Sequence, residues 1–468
     1  MKIEVTMKYT LKKLPLVLLM GLWGSLLQAQ SGAVFTLESA IDYAMSNHNS
    51  IKTAHINLED AEKRIREQLG TGLPSVTADM NFQRYLELPR QPLPESFASF
   101  GVLFDVLADI VPDPSVLGGF GGESSDEVSF FRKNNFTMGV SMDAMIFEGS
   151  FFVGLQAARG YRKYVDKEML NARRSVRKQV TEAFLPVLLV DANLEILDKN
   201  IANLASLLAE VQALYREGFV EQLDVDRQEL SLANLTTQRK SLVRQRELVL
   251  RNLKFAMGYP LEEPLVVTGE LEAMSTGVVD EDLVGQINYL RRPEVQLLET
   301  GLELNELNIK NYKSRFLPTL RAFGAYQYLY QGDNSENGFW SPQAFVGVRM
   351  SVPIYSGMLK TLAIQRAQLE SEKIVLQQQE LERSIGLEVS NARIQYSNAL
   401  ENLDSQQKNR ALAERIYQTT QVKYREGVGS SVEVSQAEQS LYDTQRNYLQ
   451  ALYDLILSKM NLDIALEN

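Results

Sequence analysis

The chain contains no cysteine. That excludes disulfides, thiolate metal centres, cysteine nucleophiles and an acylated N-terminal cysteine, so stability has to come from packing and assembly. Histidine is nearly absent too. His48 and His55 are the only two in 468 residues, which excludes a histidine-rich metal site; their spacing suits one helical face, where they read as polar side chains turned to solvent. Basic charge is also short, with 48 Lys and Arg against 59 Asp and Glu and a net charge of −11, the opposite of a nucleic-acid binding surface. No nucleophile motif, metal cluster or phosphate loop stands at a standard spacing, so no enzyme and no cofactor is expected. The glycine cluster Gly118–Gly122 lacks the lysine that a phosphate loop carries and reads as a loop.

Long apolar runs are missing beyond the N-terminus. The first thirty residues run from Lys8, Lys12 and Lys13 through an apolar block, Leu14 to Leu27, to Leu27-Gln28-Ala29. The block is shorter than the roughly 20 residues of a membrane helix, and the pattern is that of a cleaved signal peptide, residues 1–30. The chain as a whole is 45% hydrophobic, enough to fold.

The mature sequence is written twice. "GLPSV" at Gly72–Val76 matches "FLPTL" at Phe316–Leu320, with Pro74 and Pro318 at helix-to-strand joints. "GVSMDAMIFEG" at Gly139–Gly149 matches "GVRMSVPIYSG" at Gly347–Gly357, and "YREG" occurs at Tyr215-Arg216-Glu217-Gly218 and again at Tyr424-Arg425-Glu426-Gly427. Pro74 to Pro318 is 244 positions, whereas Gly139 to Gly347 is 208 and Tyr215 to Tyr424 is 209. The first copy (31–270) therefore holds an insertion that the second (271–468) lacks. It falls in the proline- and glycine-rich interval 88–131, which reads as a long loop with a short helix of its own over Phe97–Val111.

Each copy alternates with period two beside its landmarks. Val76, Ala78, Met80 and Phe82 oppose Thr77, Asp79, Asn81 and Gln83; Phe136 to Ala144 repeat the pattern, as do Ala344 to Ile354, and Tyr326, Tyr328 and Tyr330 form an aromatic row. Strands of about ten residues, apolar on one face and polar on the other, fit a barrel wall between lipid and water; a half-buried soluble sheet has the same period. Four such strands cannot close a barrel, because open edges are not tolerated in lipid.

Helical periodicity covers Phe151–Arg216 and Leu359–Arg425, each about 100 Å long at 1.5 Å per residue, with a kink expected at Pro186 in the first. After each "YREG" a half-length helix returns, Glu221–Met257 and Val432–Leu466, and two more helices, Leu37–Leu69 and Leu283–Phe316, are sized to stack on them. The expected pairing crosses the halves, each returning helix meeting the leading helix of the other copy.

The order of these landmarks, together with "FTLESAIDYAMSNHNSIKTA" from Phe35, "SVPIYSG" from Ser351 and "YREGVGSSVEV" from Tyr424, resembles the TolC family of outer-membrane efflux proteins over nearly the whole mature chain. The resemblance implies a mainly α fold with a β-barrel part: a homotrimer with a helical tunnel through the periplasm and a 12-stranded outer-membrane barrel, four strands per chain, in two tandem repeats. It implies that the two "YREG" tips, extended by Val428 and Gly429, dock a periplasmic adaptor that works with an inner-membrane transporter, in tripartite efflux or type I secretion of small toxic compounds. It also implies an acidic ring at the periplasmic aperture. Glu433 matches its first position, Gln436 replaces the second acid, and Gly429 stands where a basic residue helps lock the closed state; Asp224 and Asp226 follow the first tip and could add charge. The alternative is a periplasmic coiled-coil adaptor or structural protein, which shares the long helices but not repeated lipid-facing strands.

Overall fold

The computed structural model describes residues 33–89, 91–92, 127–128, 132–275, 289–333 and 338–466. The expected signal peptide and the helix expected over Phe97–Val111 lie outside the described residues. In chain order the first half comprises β1 (Ala33–Phe35), α1 (Leu37–Asn47), α2 (Asn49–Gly70), β2 (Ser75–Arg84), the short pair β3 (Gln91–Pro92) and β4 (Glu127–Val128), β5 (Asn134–Phe147), α3 (Gly149–Arg216) and α4 (Gln222–Met257). Then come β6 (Leu265–Val267), α5 (Leu271–Ser275), α6 (Pro293–Ser314), β7 (Thr319–Gly332), β8 (Gly338–Ser351), α7 (Leu359–Arg425) and α8 (Ser431–Leu466). The chain divides into two compact units whose boundaries fall inside α2, α3, α6 and α7: one of residues up to 58, 165–298 and 376–468, the other of 59–164 and 299–375.

The first unit is helical. Its largest core gathers Phe184, Leu185, Val187 and Leu188 of α3 with Ala40 and Ala44 of α1, Leu253 and Met257 of α4, and Leu452 and Ile456 of α8. Pro186 sits in the middle of this cluster and α3 runs on through it; burial of the residues on either side offsets the backbone hydrogen bond that proline cannot make. The two hairpins turn at Gly218 and Gly427, whose φ angles of +77° and +75° put them in the left-handed region. The Phe219 and Val428 N–H groups donate back to the Leu214 and Lys423 carbonyls, satisfying acceptors that a helix end leaves open.

The helices depart from three expectations. The helix expected over Leu37–Leu69 is two helices, broken at His48, which has extended geometry, caps the end of α1 and accepts at Nδ1 from the Ser50 N–H. The two histidines therefore do not share one continuous helix. The helix expected from Leu283 starts at Pro293, since proline has no N–H to lose at a first helical position and holds Arg292 outside; residues 283–288 are not among those described. The leading helices do not cross between the halves. α1 meets the end of α4, where a Cβ on Gly258 would lie 3.0 Å from the His48 Cα, and β1 pairs in parallel with β6 just beyond. α6 likewise meets the end of α8, where the buried Arg292 guanidinium donates to the Ile464 and Ala465 carbonyls and pairs with Glu388. Open carbonyls at a helix C-terminus attract a cation, and the segment that leaves α4 supplies β6 as the partner of β1.

The second unit is built on a four-stranded antiparallel sheet in the order β2-β5-β7-β8. Pro74 and Pro318 immediately precede β2 and β7. Three strands have 14 residues, longer than the ten expected, while β8 stops at Ser351 and not at Ile354 because Pro353 has no N–H to give the ladder. A register shift between Met145 and Phe147 ends the β5–β7 pairing next to α3.

Candidate functional site

The strand registers align the alternating residues into two continuous faces. On one, Phe82, Phe136, Tyr330 and Trp340 are cross-strand neighbours, as are Met80, Met138, Tyr328 and Pro342, then Ala78, Val140, Tyr326 and Ala344. From the Leu320–Met350 pair to the Tyr330–Trp340 pair is ten residues, about 33 Å of strand and so about 25 Å of height at the tilt usual in membrane barrels. The other face carries the polar side chains, with Phe323, Leu329, Phe339 and Phe345 among them. Thr77 and Ser141 hydroxyls are 2.7 Å apart, Gln327 donates to Gln343 at 3.1 Å, and Arg321 donates to Asp143 and Glu148 at 3.1 Å each. Arg349 lies over the Phe323 ring, 4.9 Å from its centroid. Such a wall separates hydrocarbon from water.

At the hairpin tips, Tyr215, Arg216, Glu217 and Gly218 are exposed, as are Arg425, Glu426, Gly427 and Val428, while Tyr424 and Gly429 are half-buried. Arg425 makes a bidentate pair with Glu210, at 3.0 and 3.1 Å, that ties α7 to α3. Burial, then the Asp224 charge, raises the pKa of Tyr424. Glu433 and Gln436 are exposed on the first turns of α8, and the Glu433 N–H is capped by the Ser430 hydroxyl at 3.2 Å. Asp226 is exposed and accepts from Gln222 at 2.7 Å. Asp224 differs. Its carboxylate accepts from the Ser431 hydroxyl, which joins the two hairpins, and lies 3.7 Å from Arg227 one turn along the same helix.

The tip also holds a residue that the sequence motifs do not single out. Glu438, only 9% exposed, lies beside the cluster of Leu204, Leu207, Val211, Tyr417, Val434 and Leu441. No described residue bonds its carboxyl, and burial pushes its pKa up to about 7. A signal for it was available: Val434, Glu438 and Leu441 stand at helical spacing, which places the glutamate in the apolar stripe of α8. Glu438 also lines a groove of about 580 Å³ shared with Asn200, Arg227, Tyr442 and Arg446.

The sequence profile of the outer membrane efflux protein family matches residues 40–259 and 286–466. The outer membrane protein TolC of Vibrio cholerae serotype O1 is 23% identical over 378 residues, 78% of this chain and 84% of that protein. Among solved structures, CusC superposes with a TM-score of 0.66 at 16% identity, covering 92% of this chain and 91% of that one. The outer membrane protein VceC of Vibrio cholerae gives 0.65 at 14% identity, covering 92% and 95%. These likenesses carry the fold, a helical tunnel part with a barrel part, and the family is one of outer-membrane channels that extend into the periplasm and not of enzymes. The chain belongs to the outer membrane efflux protein family.

Proposed function

We propose that three copies of this chain form one duct, with twelve strands as its barrel, and that it serves as the outer-membrane component of a tripartite efflux or type I secretion system exporting small toxic compounds. The observation that carries the reading is an asymmetry between matched joints. In the first copy the Gly149 backbone sits against the second, where a Cβ would come 2.7 Å from the Leu317 side chain. At the matching Gly357 nothing lies within 4 Å, and Ile354 and Tyr355 beside it are 95% and 83% exposed. Leu73, which matches Leu317, is 68% exposed. Apolar residues left bare on both sides of one sheet, next to strand edges with no partner among the described residues, call for a neighbouring copy that sets its Leu73 on this Gly357 and its β2 on this β8. The tips at Gly218 and Gly427 are then the ends offered to a periplasmic adaptor and inner-membrane transporter, and Glu433 charges the aperture, where carboxylates favour cations.

The absence of native cysteine makes the test clean. Leu73→Cys with Gly357→Cys should cross-link copies into a ladder ending at the trimer, and a chain that stays monomeric under oxidation overturns the assembly. Val428→Cys, cross-linked in intact cells, should capture a periplasmic adaptor. A proton-driven transporter in the same complex supports efflux of small compounds; an ATP-driven one moves the cargo towards peptides or proteins.

A further inference from the structure

The apolar face of the sheet ends, at the side away from the helices, in a groove of about 510 Å³ lined by Phe82, Phe136, Tyr330, Trp340 and Asn134. The rings are set at angles that keep it open: Phe136 and Trp340 meet edge-on at 6.0 Å, and Tyr330 and Trp340 are tilted at 5.3 Å. Tyr330 folds over Gly332 and Gly338, where a Cβ would come within 2.6 and 2.2 Å of its hydroxyl, so two glycines in the last row make room for its ring. Because the helices extend into the periplasm, this end of the sheet lies in the outer leaflet.

The polar groups at the mouth are unevenly used. Arg84 stands two residues beyond Phe82 on the same face, opposite Asn134, and among the described residues it forms no hydrogen bond or ion pair, not even with Glu87 in the loop after β2. The nearby carboxylate, Asp333, is already taken: it accepts from the Lys133 N–H at 3.0 Å and from Arg132 at 2.7 Å, contacts that hold its pKa below the ordinary value. Asn134 donates to the Asp333 carbonyl at 2.9 Å, which fixes its amide above the rings. Arg84, without a partner among the described residues, thus stands one row beyond an apolar, aromatic groove on the same face of the sheet, at the boundary between hydrocarbon and headgroups.

We propose that this groove is a binding site for a phosphorylated, multiply acylated lipid of the outer leaflet, with one acyl chain among the four rings and a headgroup phosphate on Arg84. Guanidinium binds phosphate through two parallel hydrogen bonds, and aromatic rings present broad apolar surface to an alkyl chain. A general aromatic girdle also lines such barrels, but it requires no unpaired arginine at this row.

The test uses full-length protein purified in mild detergent, with diphosphoryl lipid A as probe and its dephosphorylated form as control, read by native mass spectrometry. Wild type should retain the phosphorylated lipid, Arg84→Gln should lower retention about tenfold without affecting the dephosphorylated lipid, and Trp340→Ala should weaken both. Equal retention of the two lipids by wild type, or retention unchanged in Arg84→Gln, overturns the proposal and leaves detergent-like occupancy only. Ion conductance of each variant in planar bilayers separates these outcomes from failure of the channel itself.

Discussion

Glu438 ties the chemistry of one side chain to pH. A carboxyl whose pKa rises to about 7 in the folded chain favours folding when protonated. Below its ordinary value of 4.5 it costs nothing; the cost grows as pH climbs towards 7 and is constant above, about 3 kcal/mol for the difference between the two values. Glu438→Gln should therefore raise the melting temperature at pH 8 and leave it unchanged at pH 4, and a gain of the same size at both would mean that the side chain titrates normally. Glu433, nearer the tip and exposed, should act on ions instead of stability. Glu433→Gln should reduce the preference for cations in bilayer recordings without moving the melting temperature.

At the scale of elements, the hairpins depend on their left-handed glycines. Nothing lies within 4 Å of a Cβ at Gly218 or Gly427, so a substitution there meets backbone strain and not a clash. Gly427→Ala should cost about 1 kcal/mol and increase amide exchange in the last turn of α7 and the first of α8, with the rest of both helices protected as before. Exchange that rises along the whole of α7 would show that the tip is not a local unit. The long helices themselves owe little to strong amphipathicity. α7 ends in residues such as Ala413 and Tyr417 that are buried by α3 and α8, which is how tertiary packing sustains 67 residues of helix.

At the scale of the whole molecule, the two faces of the sheet define which mutations the membrane rejects. Ala344 lies mid-strand on the apolar face and Gln343 on the polar one. Ala344→Arg should cost about 2–4 kcal/mol and prevent stable insertion in the outer membrane, while Gln343→Arg should insert normally and shift ion selectivity towards anions. Fractionation of cells expressing each variant decides the point, and equal insertion of both would mean that the apolar face does not meet lipid.

Much of this architecture was legible in the sequence, because each feature rests on local rules. Proline sets the strand starts at Pro74 and Pro318, period two sets the faces, glycine sets the turns at Gly218 and Gly427, and duplication of landmarks sets the repeat. Only the tertiary structure decided what depends on residues far apart in the chain. The break at His48 lies where the Gly258 backbone packs closely against it, the stacking of each leading helix on its own half comes from Arg292 and the β1–β6 pair, and Asp224 accepts from Ser431 across the hairpins. Glu438 lay between these cases: the periodicity placed it in the apolar stripe, but its burial needed α3 and α7 to close over it. Periodicity records which way a side chain faces, and only packing determines what it meets there.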